Sequence, residues 1–234
     1  MKYVLILFLS FNTTFLFAQQ SEEIIAKHII AIGGEKIWNS LLSYQYYSKI
    51  NNEVYTSRKT TYFDIKKGYR EILQQSNSRE KKTDTLHKLY TPKAAWESQW
   101  NEKGKIELIK LNEYLAQQKW KNLIHFSPFI NYKKNGIKVN YQGIEEVLDI
   151  KYHKFILIFN DDKSEVVYVN PETFLIDKRF IQVTDVDDYA YYSDYKTNKE
   201  GYVIPTRIET QNGTEEIESI FINVPIEAKI FFVK

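Results

Sequence analysis

Four histidines, His28, His87, His125 and His153, are the side chains best suited to proton transfer near neutral pH or to metal ligation. They stand far apart in sequence with no pair at ligand spacing, so each reads as a satisfied or exposed histidine. His28, on a helical apolar stripe, reads as a residue of the core or of a covering helix's edge. Asp185-Val186-Asp187-Asp188 gathers the carboxylates a hard cation wants, but it lacks the glycine and distal glutamate of a calcium loop and reads as a solvated hairpin turn. Asp161-Asp162 and Glu145-Glu146 read as turn and surface carboxylates rather than an acid/base pair. There is no cysteine, no glycine-rich phosphate loop and no His-Glu-x-x-His. With no convergent nucleophile and base, the expectation is a protein that is not an enzyme and uses no cofactor and no metal. Tyr189, Tyr191, Tyr192 and Tyr195 could stack on sugars or bases, yet cross-strand aromatic pairing accounts for them without a ligand.

The remaining chemistry is apolar. Of 234 residues, 43% are hydrophobic and 15% aromatic, including 18 Tyr and 14 Phe. Only 8 Gly, 5 Pro and no Cys exclude a collagen-like, disordered or disulfide-stapled chain. A net charge of +2, from 32 basic and 30 acidic residues, argues against a nucleic-acid partner, which needs a concentrated basic surface. Trp96 and Trp100, four apart in a strand pattern, are expected on one face beside Ala94. Trp120, Phe126, Phe129 and Ile130 are expected to cover that face. An ordinary sealed core has the same composition and stays open as an alternative.

These residues need elements to place them. A cationic start, the apolar run Tyr3 to Leu9 and a small residue before Gln19-Gln20 read as a cleaved export signal over residues 1–18, ending at Ala18. Residues 19–234 then form one domain. Ser21 is the expected cap of a helix carrying Ile24, Ile25, His28, Ile29 and Ile32, stopped by Gly33-Gly34. Glu35 to Leu41 adds a short second helix with Trp38 and Leu41 inward. From Ser43 the period changes to two, and roughly eleven or twelve antiparallel strands follow. A helical interlude over Asn112 to Leu123, with Leu115, Lys119 and Leu123 on one side, interrupts them before Pro128. Phe155 to Phe159 is apolar on both strand faces, which requires cover on both sides.

This order of elements resembles the LolA/LolB-like periplasmic carriers of outer-membrane lipoproteins. Ile24 to Gly34 is similar to the opening of their Bacteroidetes branch. Similar too are Ala95-Trp96, Pro128 to Tyr132, Lys138 to Gly143, Val167 to Ile176, Gly201 to Ile208 and Ile222 to Ile226. The resemblance implies a mainly β (α+β) chain: a single-domain half-open antiparallel β-barrel of about 11 strands whose helices cover an apolar concave face holding acyl chains. In the carriers an arginine in a Lys-Arg-Pro turn helps hold the lid shut; here the match is Lys67 in Lys66-Lys67-Gly68, and lysine lacks the planar multi-donor fork.

The resulting expectation is a periplasmic, monomeric, non-enzymatic binder or carrier of lipid or lipoprotein acyl chains, served by a membrane-bound donor or acceptor protein. The expected cavity and lid residues are Tyr44, Tyr46, Trp96, Trp100, Trp120, Phe126, Phe129, Ile130, Ile156 and Ile158, with Lys67 as lid lock. The alternative is a protein-interaction or sensing module on the same fold, without lipid transport.

Overall fold

In a computed structural model, the structure describes residues 19–77, 82–121, 123, 126–159, 163–183 and 186–233. The expected signal at 1–18, His125, Asp161-Asp162 and Asp185 lie outside the described residues. The first helix, α1, spans 19–31. Ser21 therefore lies inside the helix rather than capping it. A short α2 (Glu35–Asn39) follows, then β1 (Ser43–Asn51), β2 (Tyr55–Asp64), β3 (Gly68–Asn77), β4 (Lys82–Tyr90), β5 (Ala95–Trp100) and β6 (Ile106–Lys110). After α3 (Glu113–Lys121) come β7 (Lys138–Val147), β8 (Ile150–Ile158), β9 (Ser164–Val169), β10 (Ile176–Val183), β11 (Val186–Thr197), β12 (Val203–Thr210) and β13 (Gly213–Ile222).

All strands belong to one open antiparallel sheet in the order β6-β5-β4-β3-β2-β1-β13-β12-β11-β10-β9-β8-β7. Two meanders, β1 to β6 and β7 to β13, are joined where β1 pairs with β13, Tyr44 opposite Ile222. The sheet thus has thirteen strands rather than eleven or twelve, because Ile106–Lys110 lacks the alternation that marks the others. Register shifts in β1 at Tyr47/Ser48, β7 at Tyr141/Gly143 and β10 at Ile176/Lys178 bend it, as bulges do.

One face carries the helices. Ile24 and Ile25 of α1 pack on Phe155, Leu157, Val167 and Val169, while Ile32, Trp38 and Leu41 pack on Tyr44, Phe63, Tyr202 and Ile204. The end of α1 is pinned because the Val203 N–H donates to the Ile32 carbonyl at 3.1 Å. Gly33 has φ +114°, and a Cβ there would stand 2.3 Å from the Gly201 carbonyl oxygen, so no side chain fits this approach. The turn between α1 and α2 is fixed by that contact.

The opposite face is covered at one end by the chain after β13. Ile226 and Phe231 are buried against Leu89, with Tyr62 and Trp96 alongside. The Arg70 guanidinium donates to the Ile230 carbonyl at 2.7 Å and the Lys67 ammonium to the Ile226 carbonyl at 2.7 Å. No helix among the described residues is long and apolar enough to cross a membrane.

Candidate functional site

The site is the space between the helix-bearing face and a lid segment, residues 126–137, that runs from α3 back to β7. Asn112 caps α3, its side-chain oxygen accepting from the Leu115 N–H at 2.9 Å. The inward face of α3 is Ala116 and Trp120, packed with Tyr90, Ala95 and Leu123. Leu115 is exposed instead, and Lys119 reaches sideways to Glu97 at 2.9 Å. Beyond α3, Phe126 has φ 61°, a left-handed value that costs a bulky residue on the order of 1–3 kcal/mol. Its ring lies 5.8 Å from that of Trp38 and 5.3 Å from that of Tyr44, so this backbone directs an aromatic wedge onto the sheet.

His28 fastens the lid segment. Its Nδ1–H donates to the Phe174 carbonyl at 2.7 Å, leaving Nε2 to accept from the Ser127 hydroxyl at 2.8 Å. The Ser127 oxygen in turn accepts from the Phe129 N–H at 3.2 Å. Burial pushes the His28 imidazole down to about 4, against the opposing pull of its bond to Phe174. It is therefore neutral near pH 7, which leaves Nε2 a lone pair for the Ser127 hydroxyl.

Two clefts flank the lid. The larger, about 680 Å³, is walled by Trp38, Leu41, Phe63, Trp120, Ile137 and Phe159. The smaller, about 530 Å³, lies along α1 at Ile25, Ile29 and Phe129. Trp38, Ile130, Asn131 and Lys134 belong to the walls of both. Both volumes fall in the range of about 300–1,000 Å³ usual for small-molecule sites.

Of the expected cavity residues, Trp120, Phe129 and Ile130 line the clefts. Tyr44 and Tyr46 form, with Phe126, the aromatic layer beneath the lid. Trp96 and Trp100 do not join them. Trp96 pairs with Leu89, and both pack toward the C-terminal segment on the opposite face; Trp100 is exposed. Ala95 and Glu97 take the inner positions of β5. Ile156 and Ile158 likewise alternate with Phe155 and Leu157, which are the residues buried under α1, and stay half-buried on the other face. Lys67 reaches the carbonyl of Ile226 and the carboxylate of Asp64 at 2.9 Å, so it ties down the C-terminal segment rather than the helices.

Sequence reasoning missed a row of charges on the helix-bearing face. Ser48, Lys59 and Thr61 follow in register from Tyr44 and Phe63. The Lys59 ammonium meets Glu215 at 2.6 Å, Lys88 meets Glu71 at 3.0 Å, and Arg179 meets Glu165 at 2.5 Å. Burial opposes the charge on Lys59, but Tyr46, Glu215 and Glu71 outweigh it and raise its pKa. Arg179, similarly buried, is held charged by Tyr192 and Glu165. Alternating polar strands look solvent-facing in sequence; the missed signal is that Lys59 and Thr61 share the side of Phe63.

No family model and no curated protein matches the chain. Solved structures do. A LolA superfamily protein from Nitrosomonas europaea superposes with a TM-score of 0.55 at 15% identity, over 91% of this chain and 97% of that one. The chain has a LolA-like fold. A domain assigned to outer-membrane lipoprotein sorting, from Vibrio parahaemolyticus, gives 0.54 at 11% identity, over 89% and 94% of the two chains. At such identities the likeness is one of fold alone.

Proposed function

We propose that this chain is an exported, periplasmic, non-enzymatic binder or carrier of acyl chains, of lipoproteins or of another lipid, on the Bacteroidetes branch of the LolA/LolB-like family. The observation that carries the reading is the cleft of about 680 Å³ between the lid segment and the sheet, walled by Trp38, Phe63, Trp120 and Phe159. Its setting supports it, since the similar solved structures include a domain assigned to lipoprotein sorting. Each buried methylene contributes about 0.8 kcal/mol, so a sixteen-carbon chain offers on the order of 12 kcal/mol before ordering costs. Affinity then needs no catalytic group. Release requires the lid to move or a more apolar acceptor, the role of a membrane-bound acceptor protein, as loading is that of a donor.

The test is native mass spectrometry of the mature protein from its own periplasm, before and after organic extraction. A lipid adduct that extraction removes is expected. Ile130→Asp, which puts a charge in the walls of both clefts, should abolish the adduct, while Trp96→Asp on the other face should retain it. A protein that carries no lipid at any stage, or an adduct indifferent to Ile130→Asp, would refute the reading.

A further inference from the structure

The larger cleft is charged on one side only. Among the described residues its polar lining includes Lys121 and Lys134, the latter shared with the neighbouring cleft, with Asn131 and Asn135, and no Asp or Glu. Both lysines are exposed, and no ion pair among the described residues engages either. The neighbouring cleft differs, because it carries Glu22 and Glu35, and there Lys133 is already held by Glu22 at 2.8 Å. Two exposed lysines that no described carboxylate neutralises thus belong to the wall of an otherwise largely apolar slot. Charge-assisted hydrogen bonds from them to an anion are stronger than neutral ones.

The other charges on the same face, buried at Lys59 and Arg179 and exposed at Lys88, offer no such seat. Lys59, Lys88 and Arg179 are each closed onto a glutamate. An apolar tail crossing those pairs would displace hydration without satisfying the charges, which is unfavourable. Among the described residues, the half of the face under the helices and lid segment is the part free of such pairs.

We infer that the larger cleft takes an amphiphile with an anionic head group, a carboxylate or a phosphate ester, its tail against Trp38 and Phe63 and its head at Lys121 and Lys134. This rests on the acyl-binding reading above and adds the charge of the ligand's head group.

Three twelve-carbon probes test it on delipidated full-length mature protein: laurate, dodecyl phosphate and dodecanol, titrated calorimetrically at low salt. The anions are expected to bind about tenfold more tightly than the alcohol, the margin of one charge-assisted contact. Comparing laurate with dodecyl phosphate tells which head group is preferred. Lys121→Gln combined with Lys134→Gln, both on the surface, should bring the anions down to the alcohol's affinity and leave dodecanol unchanged. Equal binding of all three probes, or an anion preference that survives the double substitution, overturns the head-group assignment while acyl binding stands. Binding of none of them overturns both.

Discussion

His28 joins three pieces of chain that lie far apart in sequence: α1, the turn at Phe174 and the lid segment at Ser127. Its folded pKa, about 4, lies below the ordinary value near 6.5, so the unfolded chain takes up the proton first as pH falls. The stability that neutral His28 contributes is complete above about pH 6.5 and is lost progressively toward pH 4, up to about 3 kcal/mol. Thermal unfolding followed from pH 7 to pH 4.5 should show this loss, and His28→Gln should flatten that part of the curve. Equal slopes in the two proteins would remove His28 as the cause. The helical stripe makes its burial legible in sequence. Its partners are not, because nothing local in Ser127 or Phe174 announces a contact with residue 28.

Trp96 teaches a related lesson. Its size says that it is buried, but a strand puts adjacent residues on opposite faces, and β5 is covered on both. Ala95 lies under α3 and Trp96 under the C-terminal segment. Without the partner strands, the larger residue looked like the inner one.

Among the elements, β9 and β10 show why polar strands can be internal. Val167 and Arg179 are register partners, and Val167 is fully buried on the helix-bearing face, so Arg179 shares that face and closes onto Glu165. Removing one member of a buried pair strands the other. Arg179→Ala should therefore cost about 3–5 kcal/mol in urea unfolding, whereas Arg179→Met with Glu165→Leu should be close to neutral or stabilising. If the single substitution costs less than about 1 kcal/mol, the pair is solvated and the tail can pass it. Roughly eleven or twelve strands were legible from their alternation. β6 was not, because Ile-Glu-Leu-Ile-Lys has no period of two, and its pairing with β5 is decided by the neighbour rather than by propensity.

Across the whole molecule, the sheet has two unequal covers. α1, α2, α3 and the lid segment lie on one face and leave two clefts; the C-terminal segment lies on the other, packed over Leu89 and held by Lys67 and Arg70. The alternation and turns were enough to anticipate one antiparallel sheet, and the family resemblance implied the half-open barrel with a covered face. Neither could reveal which face, since that depends on β1 pairing with β13 across most of the chain's length.

That division places the chain's four tryptophans on different sides: Trp38 and Trp120 in the cleft wall, Trp96 and Trp100 away from it. Quenching of tryptophan fluorescence by a fatty acid brominated along its chain therefore reports directly where the hydrocarbon lies. In a protein carrying Trp96→Phe and Trp100→Phe, quenching should persist and involve most of the remaining emission, and Trp120→Phe should reduce it. Quenching that disappears with Trp96 and Trp100 would put the tail on the wrong face of the sheet and contradict the account.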